Sequence, residues 1–317
     1  MTRLSVIMPT HNARATLPRA LAALADQDLE RDVFEVLVLD DGSTDGSGDL
    51  AETMRALLPL RVVRQPNRGI SAARNLGAAQ ARGEVFLFLD ADVFACPTLL
   101  RSHLRHYSDA AALLAVQGRT AADPATLTTP FMRTSNLMPD FTIRRRLNLS
   151  PYHVIGRNFS VSRAAFQTAG AFDEGFQGYG LEDVEFAIRL QRAGGIIRYE
   201  PDAVGLHHHP ISIESAAARQ RLNGRAAVRL WRKYGRSFRF GVRYEVHPLF
   251  FPLKWFVFRS GIVTRALTAI RPWAEQHHRE LILNEIYNHL LWQGYHEGVV
   301  DALRDRDTTP SPQDQSA

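Results

Sequence analysis

Two hydrophobic periods take turns along the first 95 residues. Leu4–Met8 is a short apolar run closed by Pro9, and Phe34–Leu39 is nearly continuous in apolar residues. Unbroken runs of this length predict strands covered on both faces. Leu60–Arg64 reads as a third strand and Val85–Leu89 as a fourth. Between them, Leu17, Leu21 and Leu24 share one helical face, with Thr16 placed to cap it. A second helix is expected from about Asp49 to Leu58, and a third opens at Ser71 and stops at Gly83. Strand and helix alternating in this way predict an α/β fold with a doubly wound, mostly parallel sheet flanked by helices.

The pattern loosens between Cys96 and Arg157, then resumes. Gly156–Phe172 reads as strand, short helix and turn. Leu181–Ala193 reads as a helix ended by Gly194 and Gly195, and Ile196–Glu200 as a strand. From Ile211 the chain turns helical, aromatic and basic, and the tail from Asp305, with TTPSPQDQSA, has a disordered composition. This divides the chain into 1–210, with halves 1–95 and 96–210, a helical extension 211–304 and a tail 305–317.

In open parallel sheets, ligands gather beyond the carboxyl ends of the strands. Those ends carry Pro9–Asn12, Asp40–Asp45 and Asp90–Asp92. Three polar clusters at three strand ends should therefore converge.

Composition narrows the setting. Hydrophobic residues at 45% and charged residues at 22% are ordinary for a globular chain. Cys96 is the single cysteine, so no internal disulfide forms and a reducing, cytoplasmic setting fits. The N-terminal apolar stretch is too short for a signal-peptide core, and no run long enough to span a bilayer exists. The net charge is +5, yet 13 Lys/Arg and two acidic residues fall between Ile211 and Trp273, a local excess of about +11. That stretch suits either peripheral contact with the inner face of a membrane or packing against the catalytic domain or a second subunit. Nucleic acid is not an expected partner.

Several clusters carry chemistry. In VFLFLDADV a buried strand delivers Asp90 and Asp92 two residues apart, and hard carboxylate oxygens suit Mg2+ or Mn2+ together with substrate phosphates. The bland reading is a pair of aspartates capping the next turn. In VLVLDDGSTDGS, Asp40 and Asp41 can accept from a nucleobase or ribose, or simply fix the turn. Arg74 sits at a helix start where anions are favoured, although a surface role is commoner for arginine. In FDEGFQGYGLEDVEF, glycines 175, 178 and 180 lead into Glu182 and Asp183 at a helix start, a good place for a general base. His207, His208 and His209 could complete a metal site or lie in an exposed loop.

With those residues in view, the chain resembles the family 2 glycosyltransferases, whose fold is GT-A. The resemblance rests on five ordered pieces over about residues 3–210: SVIMPTHN, VLDDGSTDGS, NRGISAARNLGAAQARGEVFLFLDAD, GRNFSVSRAAFQTAGAFDEGF and GYGLEDVEFAIRLQRAG. It implies a catalytic domain over 1–210 that moves a sugar, with inversion, from a nucleotide diphosphate donor, a UDP-sugar foremost, to a saccharide, lipid-linked or small-molecule acceptor. The donor site it implies comprises Pro9, Thr10, Asn12, Asp40, Asp41, Arg74, Asp90 and Ala91. The implied metal ligands are Asp92, Asp90 and His207, with His208 or His209 as alternatives for the histidine, holding Mn2+ or Mg2+. Asp183 matches the family's catalytic base. Sugar choice is expected to depend on loops such as Arg119–Arg146.

Three other readings compete. A haloacid-dehalogenase-type phosphohydrolase places its D-x-D at the first strand, whereas here about 85 residues precede it. A sugar-nucleotide pyrophosphorylase needs a Gly-rich, Arg-containing loop that PTHNARA lacks. A binding module without turnover would have no need of Asp90, Asp92 and Asp183 together.

Overall fold

The computed structural model describes residues 2–108, 112–134, 148–176, 180–247, 258 and 261–305. Gly178, the tail beyond Asp305, most of 248–260 and part of the Arg119–Arg146 loop lie outside the described residues. The chain divides into two compact units: Met1–Asp123 with Met138–Gly175 and Glu182–His209, and Pro124–Leu137 with Phe176–Leu181 and Pro210–Ala317.

The first unit is built on one eight-stranded sheet. Its strands are β1 (Leu4–Thr10), β2 (Phe34–Asp41), β3 (Leu60–Gln65), β4 (Val85–Leu89), β5 (Val93–Ala95), β6 (Leu114–Ala122), β7 (Asn158–Ser162) and β8 (Ile196–His207), in the order β3-β2-β1-β4-β7-β6-β8-β5. The first four are parallel, as their apolar runs predict. Alternate residues serve opposite layers. Leu4, Val6 and Met8 pack with Leu17, Leu21 and Leu24 of α1 (Leu17–Ala25). Ile7, Leu37 and Leu39 pack with Ala73 and Ala78 of α3 (Ile70–Gln80) on the other side, leaving α2 as Ser47–Thr53.

Two helix starts differ from the sequence reading. Ser71 lies inside α3, and Gly69 takes the cap position at φ 88°, a left-handed conformation that a residue without Cβ adopts freely. The helix expected over 49–58 is the shorter α2, because Asp45 accepts from the Ser47 amide at 2.9 Å and starts it early.

The sheet also reverses direction at a functionally decisive place. β7 runs antiparallel to β4, pairing Leu89 with Asn158, so the start of β7 lies beside the end of β4. β6 is antiparallel to β7, and β8 is parallel to β6 and antiparallel to β5, pairing His207 with Val93. One edge of the sheet thus gathers the ends of β1, β2, β4 and β8 with the starts of β5 and β7.

α6 (Arg163–Ala169) and α7 (Glu182–Arg192) cover β7, while α4 (Leu99–Leu104) covers the opposite layer. Phe186 of α7 is fully buried, stacked on Phe172 at 4.8 Å and packed edge-on to Phe159 at 6.2 Å. Burying one such ring contributes about 1.5–3 kcal/mol, which anchors the helix that presents Asp183.

The second unit is helical: α5 (Pro130–Thr134), α8 (Ile213–Lys233), α9 (Phe238–Arg243), α10 (Ile262–Gln276) and α11 (Glu280–Arg304). α8 and α11 approach backbone to backbone. A Cβ on Gly224 would collide with the Tyr295 carbonyl, one on Gly294 with that of Ala217, and one on Gly298 with that of Arg221. Phe238, Ile262, Val263, Ile270 and Trp273 are exposed, and no helix among the described residues is long and apolar enough to cross a membrane.

Candidate active site

β4 ends at Leu89, and the next three residues turn before β5 begins. The two-residue alternation of a strand therefore stops short of the aspartates, and their carboxylates meet different partners. Asp92 Oδ2 lies 3.2 Å from His207 Nε2 and 3.5 Å from His209 Nδ1. The two imidazoles stack with centroids 5.0 Å apart and planes 8° apart. One ligand atom from each of Asp92, His207 and His209 falls within 4.8 Å of the others.

Asp90 is not a member of that cluster. Its Oδ1 faces Arg74 Nη2 at 3.4 Å, and its amide donates to the Arg157 carbonyl at 3.2 Å.

The histidine triplet sorts itself by alternation along an extended chain. His207 and His209 turn to Asp92. His208 turns the other way, donating from Nδ1 to Asp123 Oδ2 at 2.8 Å beside Phe94. His208→Ala should accordingly leave Mn2+ affinity unchanged, whereas His209→Ala and His207→Ala each lower it by on the order of 10–100-fold in titrations followed by electron paramagnetic resonance. Equal losses for all three would contradict this sorting.

The cluster fits a divalent cation on its own chemistry. Asp92 Oδ1 is buried and has no hydrogen-bond partner among the described residues, an orphan acceptor that a cation would satisfy. The imidazoles flanking it hold the Asp92 carboxyl well below the usual carboxylate range against the opposing effect of burial, so it is ionised.

Arg74, expected at a surface or against phosphate, is fully enclosed. Its Nη1 donates to Glu182 Oε1 at 2.9 Å, Nη2 meets Asp90, and its charge lies 5.4 Å from the centroid of the Phe172 ring. Gly156 is packed against it, since a Cβ there would sit 2.7 Å from both Nη atoms. Arg74 has two carboxylates and a ring holding it and cannot retreat. Gly156→Ala should therefore cost about 1–3 kcal/mol in equilibrium unfolding; an unchanged unfolding midpoint would show that Arg74 yields.

Asp183 opens α7 half-buried. Its Oδ2 accepts from the Gly156 amide at 2.9 Å and its Oδ1 from its neighbour Val184 at 2.7 Å. Burial pushes the Asp183 carboxyl up, against Arg74 and these amides, which pull it down. Burial and the adjacent Asp183 charge push Glu182 up as well. The segment Gly156–Arg157 joins the two halves of the site. Gly156 holds Asp183, and Arg157 Nη1 donates to His207 Nδ1 at 2.9 Å.

At the other strand ends, Asp41 is buried and accepts from Gln65 Nε2 at 2.6 Å, Arg68 N at 2.8 Å and Gly69 N at 2.8 Å. Its carboxylate fixes the loop that starts α3. Asp40 Oδ1 accepts from the Ser43 amide at 2.9 Å and holds the turn before α2. Pro9 is half-buried in β1, Thr10 Oγ1 donates to the Met8 carbonyl, and Asn12, at φ 50°, accepts from the Thr44 amide at 2.8 Å. Ala91 is buried in the turn between the aspartates. Sequence reasoning passed over His11, which donates from Nδ1 to the Asp41 carbonyl at 2.9 Å, and over Arg157. No periodicity marks either; the sole signal for Arg157 is its place just ahead of a buried strand.

Comparison with known proteins settles the family. The glycosyl transferase family 2 profile matches residues 5–170, more than half of the chain, and a second profile, the N-terminal domain of galactosyltransferase, matches residues 144–209. The chain belongs to glycosyl transferase family 2. Among curated members, the validoxylamine A glucosyltransferase of Streptomyces hygroscopicus subsp. jinggangensis is 29% identical over 318 residues, covering 89% of this chain and 71% of that protein. The chain spans 66–71% of the length of the first three curated relatives it matches. Of solved structures, the mannosyltransferase PcManGT from Pyrobaculum calidifontis, in complex with GDP-Man and Mn2+, aligns with a TM-score of 0.64 at 19% identity, covering 96% of this chain and 88% of that one. S. aureus TarS 1-349 in complex with UDP aligns with a TM-score of 0.55 at 19% identity, over 98% and 93%. These likenesses show that this family 2 chain has the GT-A-like fold that its sequence pieces imply.

Proposed function

We propose that this chain is an inverting glycosyltransferase that moves a sugar from a nucleotide diphosphate donor, a UDP-sugar foremost, to an acceptor hydroxyl, with Asp183 as general base. The observation that carries the reading is the Gly156–Arg157 backbone, whose Gly156 amide holds Asp183 while the Arg157 carbonyl accepts from the Asp90 amide, two residues before the Asp92 of the cation cluster. A base and a charge-stabilising cluster held by consecutive residues are what one in-line displacement requires.

The acceptor oxygen attacks the anomeric carbon as that carbon's bond to the diphosphate breaks, and the acceptor's proton passes to Asp183. Two backbone amides aim the Asp183 carboxylate and leave it acceptor capacity for that proton. No carboxylate nucleophile is called for on this route. Asp92, His207 and His209 would hold the divalent cation, and two imidazoles beside one carboxylate suit Mn2+ better than Mg2+. When bound, such an ion stabilises the charge growing on the departing diphosphate. Asp41 contributes to the base pocket by holding the 67–69 loop, and Arg74 by keeping Asp90 and Glu182 in register.

Burial of Asp183 sets a pH dependence. The ionised form is the base, and its proton is held to a higher pH than in an ordinary aspartate, near 3.9. Activity should therefore fall as pH drops through a midpoint above that range, with the Glu182/Asp183 pair titrating together. An acid limb of kcat/KM at or below about pH 4 would count against Asp183.

The direct test is release of nucleoside diphosphate from UDP-glucose, UDP-galactose, UDP-N-acetylglucosamine and GDP-mannose with Mn2+ present. Validoxylamine A is offered first as acceptor because of the relative named above, and the product's anomeric configuration is read by proton magnetic resonance. Retention of configuration ends the single-displacement reading. Absence of both turnover and thermal stabilisation with every donor ends the transferase reading.

A further inference from the structure

A guanidinium can only donate hydrogen bonds. Arg157 Nη1 lies 2.9 Å from His207 Nδ1, so Nδ1 is the acceptor, and the proton of the neutral ring sits on Nε2, directed at Asp92 Oδ2 3.2 Å away. A neutral imidazole that gives its Nε2 lone pair to a cation must carry its proton on Nδ1 instead. Two donors would then face each other at hydrogen-bond distance. The arrangement seen here and a cation on His207 Nε2 therefore exclude one another, and Arg157 has to leave His207 for the cation to be held there.

We infer that Arg157 is a donor-binding residue that exchanges the His207 ring for the diphosphate of the nucleotide sugar, so that cation and nucleotide bind cooperatively. This rests on the transferase reading above. Arg157 is half-buried on the segment between the cluster and Asp183, and its carbonyl accepts from the Asp90 amide, which fixes where its side chain starts. A released guanidinium at that point meets the region where the diphosphate would lie, and a diphosphate is a far better partner for it than a neutral ring nitrogen. Without nucleotide, the cation competes against the Arg157–His207 bond. With nucleotide, that bond has already been exchanged. By linkage, the cation must tighten nucleotide binding by the same factor.

The experiment titrates Mn2+ into the full chain alone, with saturating UDP and with saturating GDP, by electron paramagnetic resonance, and titrates the nucleotides with and without Mn2+ by calorimetry. In the wild-type protein, Mn2+ should bind several-fold more tightly once the preferred nucleotide is present. Arg157→Met keeps a stem of similar length without a donor. It should bind Mn2+ alone more tightly than wild type, bind nucleotide more weakly and lose the part of the coupling that comes from the exchange, keeping only what the ion's own contact with the diphosphate supplies. Arg157→Lys, which keeps the charge without the planar fork, should fall between the two, and thermal melting of both variants reports that the fold is retained. Unchanged or weaker binding of Mn2+ alone by a folded Arg157→Met, or coupling equal to wild type, overturns the exchange. His207→Ala separates the two levels of the argument. If it leaves Mn2+ binding untouched, the cation site itself is misassigned, whereas a loss there together with wild-type coupling in Arg157→Met defeats only the inference about Arg157.

Discussion

Asp183→Asn lowers the turnover number by about 10²–10⁴ and leaves nucleotide and Mn2+ binding close to wild type. The substitution keeps size and shape, removes the proton acceptor and touches none of the three cation ligands. It also puts an amide group against one of the two backbone N–H groups that the carboxylate satisfies, at Gly156 or Val184. A stability loss of about 1–3 kcal/mol is expected from that mismatch, and melting curves separate it from the catalytic effect. The neighbouring Glu182→Gln is the informative contrast, because Glu182 is turned inward to Arg74 and not to the site. It should perturb stability and shift the acid limb, because the pair titrates together, without the loss of turnover seen for Asp183→Asn. Turnover by folded Asp183→Asn within tenfold of wild type would remove the general-base assignment.

Asp92→Ala should abolish specific Mn2+ binding and, with it, metal-dependent binding of the donor. Both cluster histidines face Asp92 through the same Oδ2, and its Oδ1 is a buried acceptor without a partner among the described residues. Deleting it removes the only negative charge of the cluster and leaves two neutral rings that bind a hard cation poorly. A fall of at least 100-fold in Mn2+ affinity is expected, about 2.7 kcal/mol or more. Chelation of the wild-type protein should reproduce the same loss of donor binding. Superimposable Mn2+ titrations for wild type and variant would exclude the cluster as the cation site.

Strands β1, β2 and β4 were legible because each is an almost wholly apolar run buried on both faces, while β3, half-exposed at the sheet edge, showed only through Leu60, Val62 and Val63. The helix starts were less so. Ser71 has the side chain of a cap, but the cap went to Gly69, whose left-handed backbone lets its amide reach Asp41, a contact 28 positions away that no local rule contains. The D-x-D spacing suggested a shared target for Asp90 and Asp92. It holds only while the chain stays extended, and the strand had already ended at Leu89. The same alternation, applied to a segment that does stay extended, sorts His207 and His209 from His208. Arg74 shows what sequence conceals most. Its neighbours Glu182 and Phe172 lie about a hundred positions away, and only the antiparallel placement of β7, with α7 packed on it, brings them together.

The bare-backbone contact between α8 and α11 has a mechanical meaning. Where helices meet through side chains, a twist is absorbed as rotamers shift; where glycines press on carbonyls, there is no such cushion. Torque applied near Arg304 would reach Ile213 with almost no slack, so a cargo fused behind α11 would load α8 as if both were one beam.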